Sequence, residues 1–201
     1  EVREEADVVV DFSTAAAVDC LLEYCERKNL PVVLCTTGLS EEQNGRARRA
    51  AERIAVLQSA NMSLGVNVLF RVLAEAAPVL AAAGFDMEIV EKHHNQKLDA
   101  PSGTAVALAE VCSRAAGGEY TVVTDRSARR AKRPVKEIGI SAVRGGTIVG
   151  DHDVIFAGMD ETVTFSHRAY SRAIFGKGAV AAAKFLAGKP AGLYDMQDVV
   201  G

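Results

Sequence analysis

The chain is predicted to fold as an α/β protein, with a truncated Rossmann-like parallel sheet and an α+β portion whose sheet is mixed and largely antiparallel. Early in the sequence, short continuous apolar runs alternate with amphipathic stretches, as in parallel strands covered on both faces by helices. Further along, strands of alternating polarity are separated by Gly or Asp turns, a different architecture. With 201 residues, 49% hydrophobic and 24% charged, the chain is long enough for one domain or two small ones.

VVVDF at residues 8–12 reads as the first strand. Ser13 or Thr14 then caps an amphipathic helix to about Lys28. After Pro31, VVLC forms a second strand that ends in Thr36-Thr37-Gly38. Ser40, followed by Glu41 and Glu42, opens an Arg-rich helix to Arg53, and IAVLQ is the third strand. Ligands of parallel sheets sit at the carboxyl ends of strands. Here those ends are Asp11-Phe12-Ser13, Cys35 to Gly38, and Ser59 to Met62. Val66 to about Ala83 has helical spacing, and Phe85 to Glu91 alternates like a half-buried strand. An Ala-rich helix from Thr104 to about Ala116 follows a polar loop. Tyr120 to Thr124, Ile138 to Arg144, Thr147 to Phe156 and Glu161 to His167 look antiparallel. A helix from about Ser171 to Leu186 and a short DMQDVV segment end the sequence. Residues 1–62 are read as one domain and 63–170 as a second, with 171–201 packing back on the first.

A net charge of -3 gives no general attraction to nucleic acid or anionic lipid. Aromatics are 5% and Trp is absent, which disfavours stacking platforms for single strands. Apolar stretches are interrupted by charge within about a dozen residues, short of the roughly 20 that span a bilayer. Glu1 to Asp7 is mostly acidic, unlike a signal peptide. The expectation is a cytoplasmic protein with neither nucleic-acid nor membrane partners. Cys20, Cys25, Cys35 and Cys112 lack metal-ligand spacing and read as reduced thiols.

Glu91 to Thr104 concentrates residues suited to chemistry, including half of the four histidines. Adjacent side chains on extended backbone point apart, so His93 and His94 serve different roles and a shared metal is disfavoured. An imidazole exchanges protons near neutral pH. Lys97 donates hydrogen bonds to developing negative charge. Pro101-Ser102-Gly103-Thr104 begins a helix whose first N–H groups lack internal partners. This start is either an ordinary cap or, with Lys97, a pocket for a small carboxylate or phosphate. The six basic residues between Arg126 and Lys136 read as a solvated loop, with contact to a cofactor or an acidic partner as the alternative. Arg144-Gly145-Gly146 reads as a turn, and His152 and His167 receive no role.

Glu91 to Ala105, E-x-H-H-x-x-K-x-D-A-P-S-G-T-A, resembles the signature of the 4-hydroxy-tetrahydrodipicolinate reductase (dihydrodipicolinate reductase) family. VVVDFS, TTG, SANMSLGVN, RGGTIVGDH and LYDMQDVV resemble their counterparts in the same order, so the likeness covers nearly the whole chain. It implies reduction of a cyclic, imine-like dicarboxylate by NADPH or NADH, in lysine and diaminopimelate synthesis. It makes His93 the acid/base and Lys97 the proton donor. His94 contacts substrate, Gly103 and Thr104 hold a carboxylate, and Ser102 assists. Cofactor contacts fall on Cys35, Thr36, Thr37, Ser59, Ala60, Asn61 and Met62. Cys35 stands where the family usually has Gly, and Met62 where it often has Phe. The domains become a partial dinucleotide-binding domain, 1–62, and a substrate-binding and oligomerisation domain, 63–170, with a homotetramer expected. The sequence contains no G-x-G-x-x-G turn. This chain alone is therefore expected to bind dinucleotide poorly. The alternative is a catalytically impaired fragment that binds dicarboxylates and oligomerises without turnover.

Overall fold

The structure, a computed structural model, describes residues 5–59 and 61–201, so Ala60 lies outside the described residues. Its strands and helices are, in chain order, β1 (Val9–Asp11), α1 (Val18–Lys28), β2 (Val32–Leu34), α2 (Glu41–Ala50), β3 (Ala55–Gln58) and α3 (Leu64–Ala82), then β4 (Asp86–His93), α4 (Gly103–Ala115), β5 (Thr121–Val123) and β6 (Glu137–Arg144), and last β7 (Gly150–Ala157), β8 (Thr162–Ala169), α5 (Ala173–Leu186), β9 (Gly192–Tyr194) and α6 (Met196–Val200). The chain divides into two compact units. One runs to Asn67 and resumes at Ala173–Gly201, and the other is Val68–Arg172.

In the first unit the described residues form a parallel sheet in the order β1-β2-β3-β9. Apolar runs suit these strands because both faces are covered. Val32, Leu34 and Val56 pack with Val18, Leu22 and Cys25 of α1 and with Ala47 and Ala50 of α2. Val33, Ala55 and Leu57 pack with Ala179, Ala182 and Leu186 of α5 and with Met196 of α6. Each fully buried Leu or Val contributes about 1.5–3 kcal/mol. Ser40 starts α2 with a reciprocal capping box to Gln43, as Ser followed three residues later by Gln allows. Neither Ser13 nor Thr14 caps α1. The Ser13 N–H donates to Asp11, and a 3-10 turn at Ala15–Ala17 leads into the helix. β9, a three-residue strand without a polarity pattern of its own, is defined by its pairing with β3.

In the second unit the described residues form a sheet in the order β5-β6-β4-β7-β8. β7 pairs antiparallel with both β4 and β8 along its length. Tyr120–Thr124 and Ile138–Arg144, expected to be antiparallel, correspond to β5 and β6, which pair in parallel. The connection from 124 to 136 is long enough to carry the chain back to the same sheet end, as parallel neighbours require. One sheet face, with Met87, Ile89, Ile138, Ile140, Val154 and Phe156, packs on Leu73 and Ala77 of α3 and Leu108 and Cys112 of α4. By length and composition alone α3 could cross a membrane, yet Leu69, Leu73 and Ala77 belong to this core.

The 124–136 connection is not a purely solvated loop. Arg126 makes paired bonds to Glu88 at 2.8 and 2.7 Å, Arg129 does so to Glu137 at 2.9 and 3.0 Å, and Arg133 bonds Glu88 and Asp86 at 2.9 and 2.7 Å. Gly139 provides the space, because a Cβ there would overlap the Glu88 carboxylate and the Arg126 guanidinium.

Candidate functional site

β4 alternates buried and half-buried residues through to His93, so Glu91 and His93 project to one face of the sheet. Across the sheet, His93 stands opposite Arg144 of β6 and Glu91 opposite His152 of β7. Glu91 is completely buried. Its Oε2 lies 2.6 Å from His93 Nδ1, its Oε1 accepts the Ser102 N–H at 2.9 Å, and Arg144 donates to both oxygens at 2.8 and 2.7 Å. Burial opposes the charge, but Arg144, His93 and the Ser102 N–H outweigh it and hold the carboxyl below its ordinary range. An ionised carboxylate only accepts hydrogen bonds, so the proton between Glu91 and His93 sits on Nδ1. Nε2 is then the nitrogen left for chemistry. It lies 3.0 Å from where a Cβ at position 150 would stand, so Gly150 keeps that side of the ring clear.

Ser102 is the N-cap of α4, and its Oγ accepts the Ala105 N–H at 3.2 Å. The same hydroxyl lies 3.1 Å from His152 Nε2. Burial, reinforced by His93, pushes the His152 imidazole down to about 4 despite the pull of Glu91. His152 is therefore neutral at neutral pH. The rings of His93 and His152 meet edge to face at 5.2 Å.

Lys97 pairs with Asp99 at 2.8 Å, and its charge also reaches His152. Lys97, opposed by slight burial and helped by the Gly103 N–H, holds the Asp99 carboxyl below its ordinary range. A carboxylate of the chain itself thus lies between Lys97 and the start of α4. Gly103 is exposed with open space beside its Cα, and Thr104 is half-buried in the first helical turn. His94 follows β4, with Nε2 lying 3.4 Å from the Arg172 guanidinium rather than within the Glu91 network.

The structure thus brings together His93, Glu91, Arg144, Ser102 and His152. Of these the sequence reading assigned roles only to His93 and Ser102. The signal for Glu91 was present, since a charged residue on the core face of an alternating strand needs a partner. Arg144 and His152 are the first and last residues of the RGGTIVGDH stretch that resembles the family, and strand register supplies their place beside Glu91.

In the first unit, the strand ends of the parallel sheet open onto two concavities of about 620 and 260 Å³ that share Thr37 and Ser59. Thr36 lines the larger with Asn44 and Arg48, and Cys35, Asn61 and Met62 line the smaller. Thr36 is anchored by a 2.6 Å bond from its hydroxyl to Asp11. The 61–63 turn is tied down by Asn67, whose Nδ2 donates to the Asn61 and Ser63 carbonyls at 2.7 and 2.8 Å. α5 closes on this turn at Gly178, where a Cβ would overlap the Met62 carbonyl. Burial pushes the Cys35 thiol up to about 12, so it is a neutral lining group. Hydroxyls, the amides of Asn44, Gln58 and Asn61 and the Arg48 guanidinium, with the Asp195 and Asp198 carboxylates also lining the larger, give these volumes the polar groups that a nicotinamide dinucleotide needs. Among the described residues no group of three His, Cys, Asp or Glu side chains could hold a metal ion.

Residues 1–62 match the model for dihydrodipicolinate reductase, N-terminus, and residues 65–200 the model for dihydrodipicolinate reductase, C-terminus. The chain is 53% identical over 200 residues to 4-hydroxy-tetrahydrodipicolinate reductase of Caldanaerobacter subterraneus subsp. tengcongensis, covering 100% of this chain and 79% of that one. With the enzyme of the same name from Clostridium tetani the identity is 47% over 192 residues, covering 96% and 74%. Among solved structures, dipicolinate-bound dihydrodipicolinate reductase from Paenisporosarcina sp. TG-14 superposes with a TM-score of 0.77 at 25% identity, covering 96% of this chain and 72% of that one.

Proposed function

We infer the activity from a plain premise: the chain belongs to the dihydrodipicolinate reductase family. It is an oxidoreductase, a 4-hydroxy-tetrahydrodipicolinate reductase of lysine and diaminopimelate synthesis. After water leaves, the ring takes up a hydride and a proton to give tetrahydrodipicolinate. NADH or NADPH supplies the hydride when bound.

Val68–Arg172 is the substrate unit of this proposal. His93 exchanges a proton at Nε2, and Lys97 donates a proton and draws in the anionic ring. His94 contacts substrate. Gly103 and Thr104 bind a carboxylate through the positive end of α4, whose start Ser102 sets by capping. Cys35, Thr36, Thr37, Ser59, Asn61 and Met62, with Ala60 among them in sequence, hold the cofactor in the other unit. The working form is a homotetramer in the cytoplasm.

The observation that carries this reading is the Asp99 carboxylate, which Lys97 and the Gly103 N–H already hold. These are the groups assigned to a carboxylate of the substrate, and a dicarboxylate competes with Asp99 for them. The test is a coupled assay that generates the substrate in place and follows loss of the reduced nicotinamide with each coenzyme in turn. Turnover inhibited competitively by dipicolinate supports the reading. Dipicolinate binding without turnover contradicts it.

A further inference from the structure

We infer that Glu91 is a positioning residue for the reaction: its carboxylate fixes the His93 ring with the proton on Nδ1 and Nε2 free to exchange one, while Arg144 holds Glu91 in place. The inference deepens the reductase reading and rests on it.

Burying a carboxylate is costly unless charge and hydrogen bonds compensate it. Arg144 and the Ser102 N–H supply three of the bonds to Glu91, enough to settle a structural anion. The remaining bond, at 2.6 Å, goes to a titratable ring. That ring is kept clear at its far nitrogen by a glycine. Which nitrogen of a histidine carries the proton is set by the partner of the other one. Partners of this kind also restrict ring orientation, and their loss typically costs about 10- to 100-fold in metal sites built the same way.

The charged and titratable groups around His93 are Glu91 on its own strand, Arg144 on β6 and His152 on β7; on the loop that follows, Lys97 acts on His152 and Asp99 on Arg144. Glu91 and Arg144 act on the imidazolium with opposite signs. Removing the negative charge disfavours the protonated ring, and removing the positive charge favours it.

The test uses the full chain. Glu91→Gln should lower kcat about 10- to 100-fold, with KM for the coenzyme within about twofold, and should move the limb of the pH–rate profile set by His93 to lower pH. Arg144→Met should move the same limb to higher pH. A purely structural role would reduce the folded fraction in both variants and leave the limb where it is. Unshifted limbs, or limbs shifted in the same direction, overturn the inference. Spectra of wild-type protein with ¹⁵N-labelled histidine need neither turnover nor a variant that folds. In the neutral state of the ring they should show His93 protonated at Nδ1 and bare at Nε2, and the opposite tautomer overturns the inference. Failure of the reductase reading is seen separately, as wild-type protein without turnover.

Discussion

Glu88 and Glu91 stand on opposite faces of β4, and arginines pair with both. Around Glu88 every charged partner is a guanidinium, from Arg126 or Arg133, and the bonds tie the 124–136 connection to the sheet. Around Glu91 one partner is an imidazole whose second nitrogen is clear. A carboxylate answered only by permanent cations stabilises a fold. One answered in part by a titratable ring has a state that chemistry can use. The two differ in their partners and also in burial, Glu91 being fully buried and Glu88 partly exposed.

The largest effects expected from breaking this contrast are on turnover. His93→Ala and Lys97→Ala should each lower kcat about 10²- to 10⁴-fold, with coenzyme affinity unchanged in a direct binding titration. Gly150→Ala would press a methyl group toward His93 Nε2 and should lower kcat roughly 10- to 100-fold through misplacement of the ring, with the melting temperature little affected. On the Glu88 side, Glu88→Gln should cost about 1.5–3 kcal/mol of stability, seen in denaturant unfolding, while kcat per folded molecule stays within about twofold.

Acid should separate the two faces further. His152, held neutral in the fold, prefers protonation in the unfolded chain below its ordinary value of 6.5. The penalty is absent above that value and grows as the pH falls toward about 4. Burial lowers His167 as well, which adds to the slope. The lowered carboxyls Glu88 and Glu91 contribute stability that is present above the ordinary value of 4.5 and lost as the pH falls below it. Melting temperature should therefore begin to fall between pH 6.5 and 4.5, and His152→Gln should flatten that part of the curve. The smallest effect is expected at Asp99. Asp99→Asn removes a competing carboxylate and should tighten dipicolinate binding by up to about fivefold, the scale of an exposed ion pair; calorimetry would measure it.

Both sheets were legible in the sequence because apolar runs and alternation report directly which faces are covered. β9 was not, since the three residues Gly192–Tyr194 are too few for a pattern and the strand depends on pairing with β3. The apolar alternation of β4 stops at Glu91, while the strand itself runs on to His93, so the shared face of Glu91 and His93 is not legible from the pattern. The basic run was misread for a related reason: Arg126, Arg129 and Arg133 find carboxylates on β4 and β6, and residue spacing along the run does not reveal tertiary partners.

kcat and melting temperature, measured side by side on His93→Ala and Glu88→Gln, test the contrast most directly. The expected result is a collapse of kcat at a nearly wild-type melting temperature in the first variant, and a lowered melting temperature with kcat preserved in the second. Wild-type turnover in His93→Ala, or a collapse of kcat in fully folded Glu88→Gln, would contradict it.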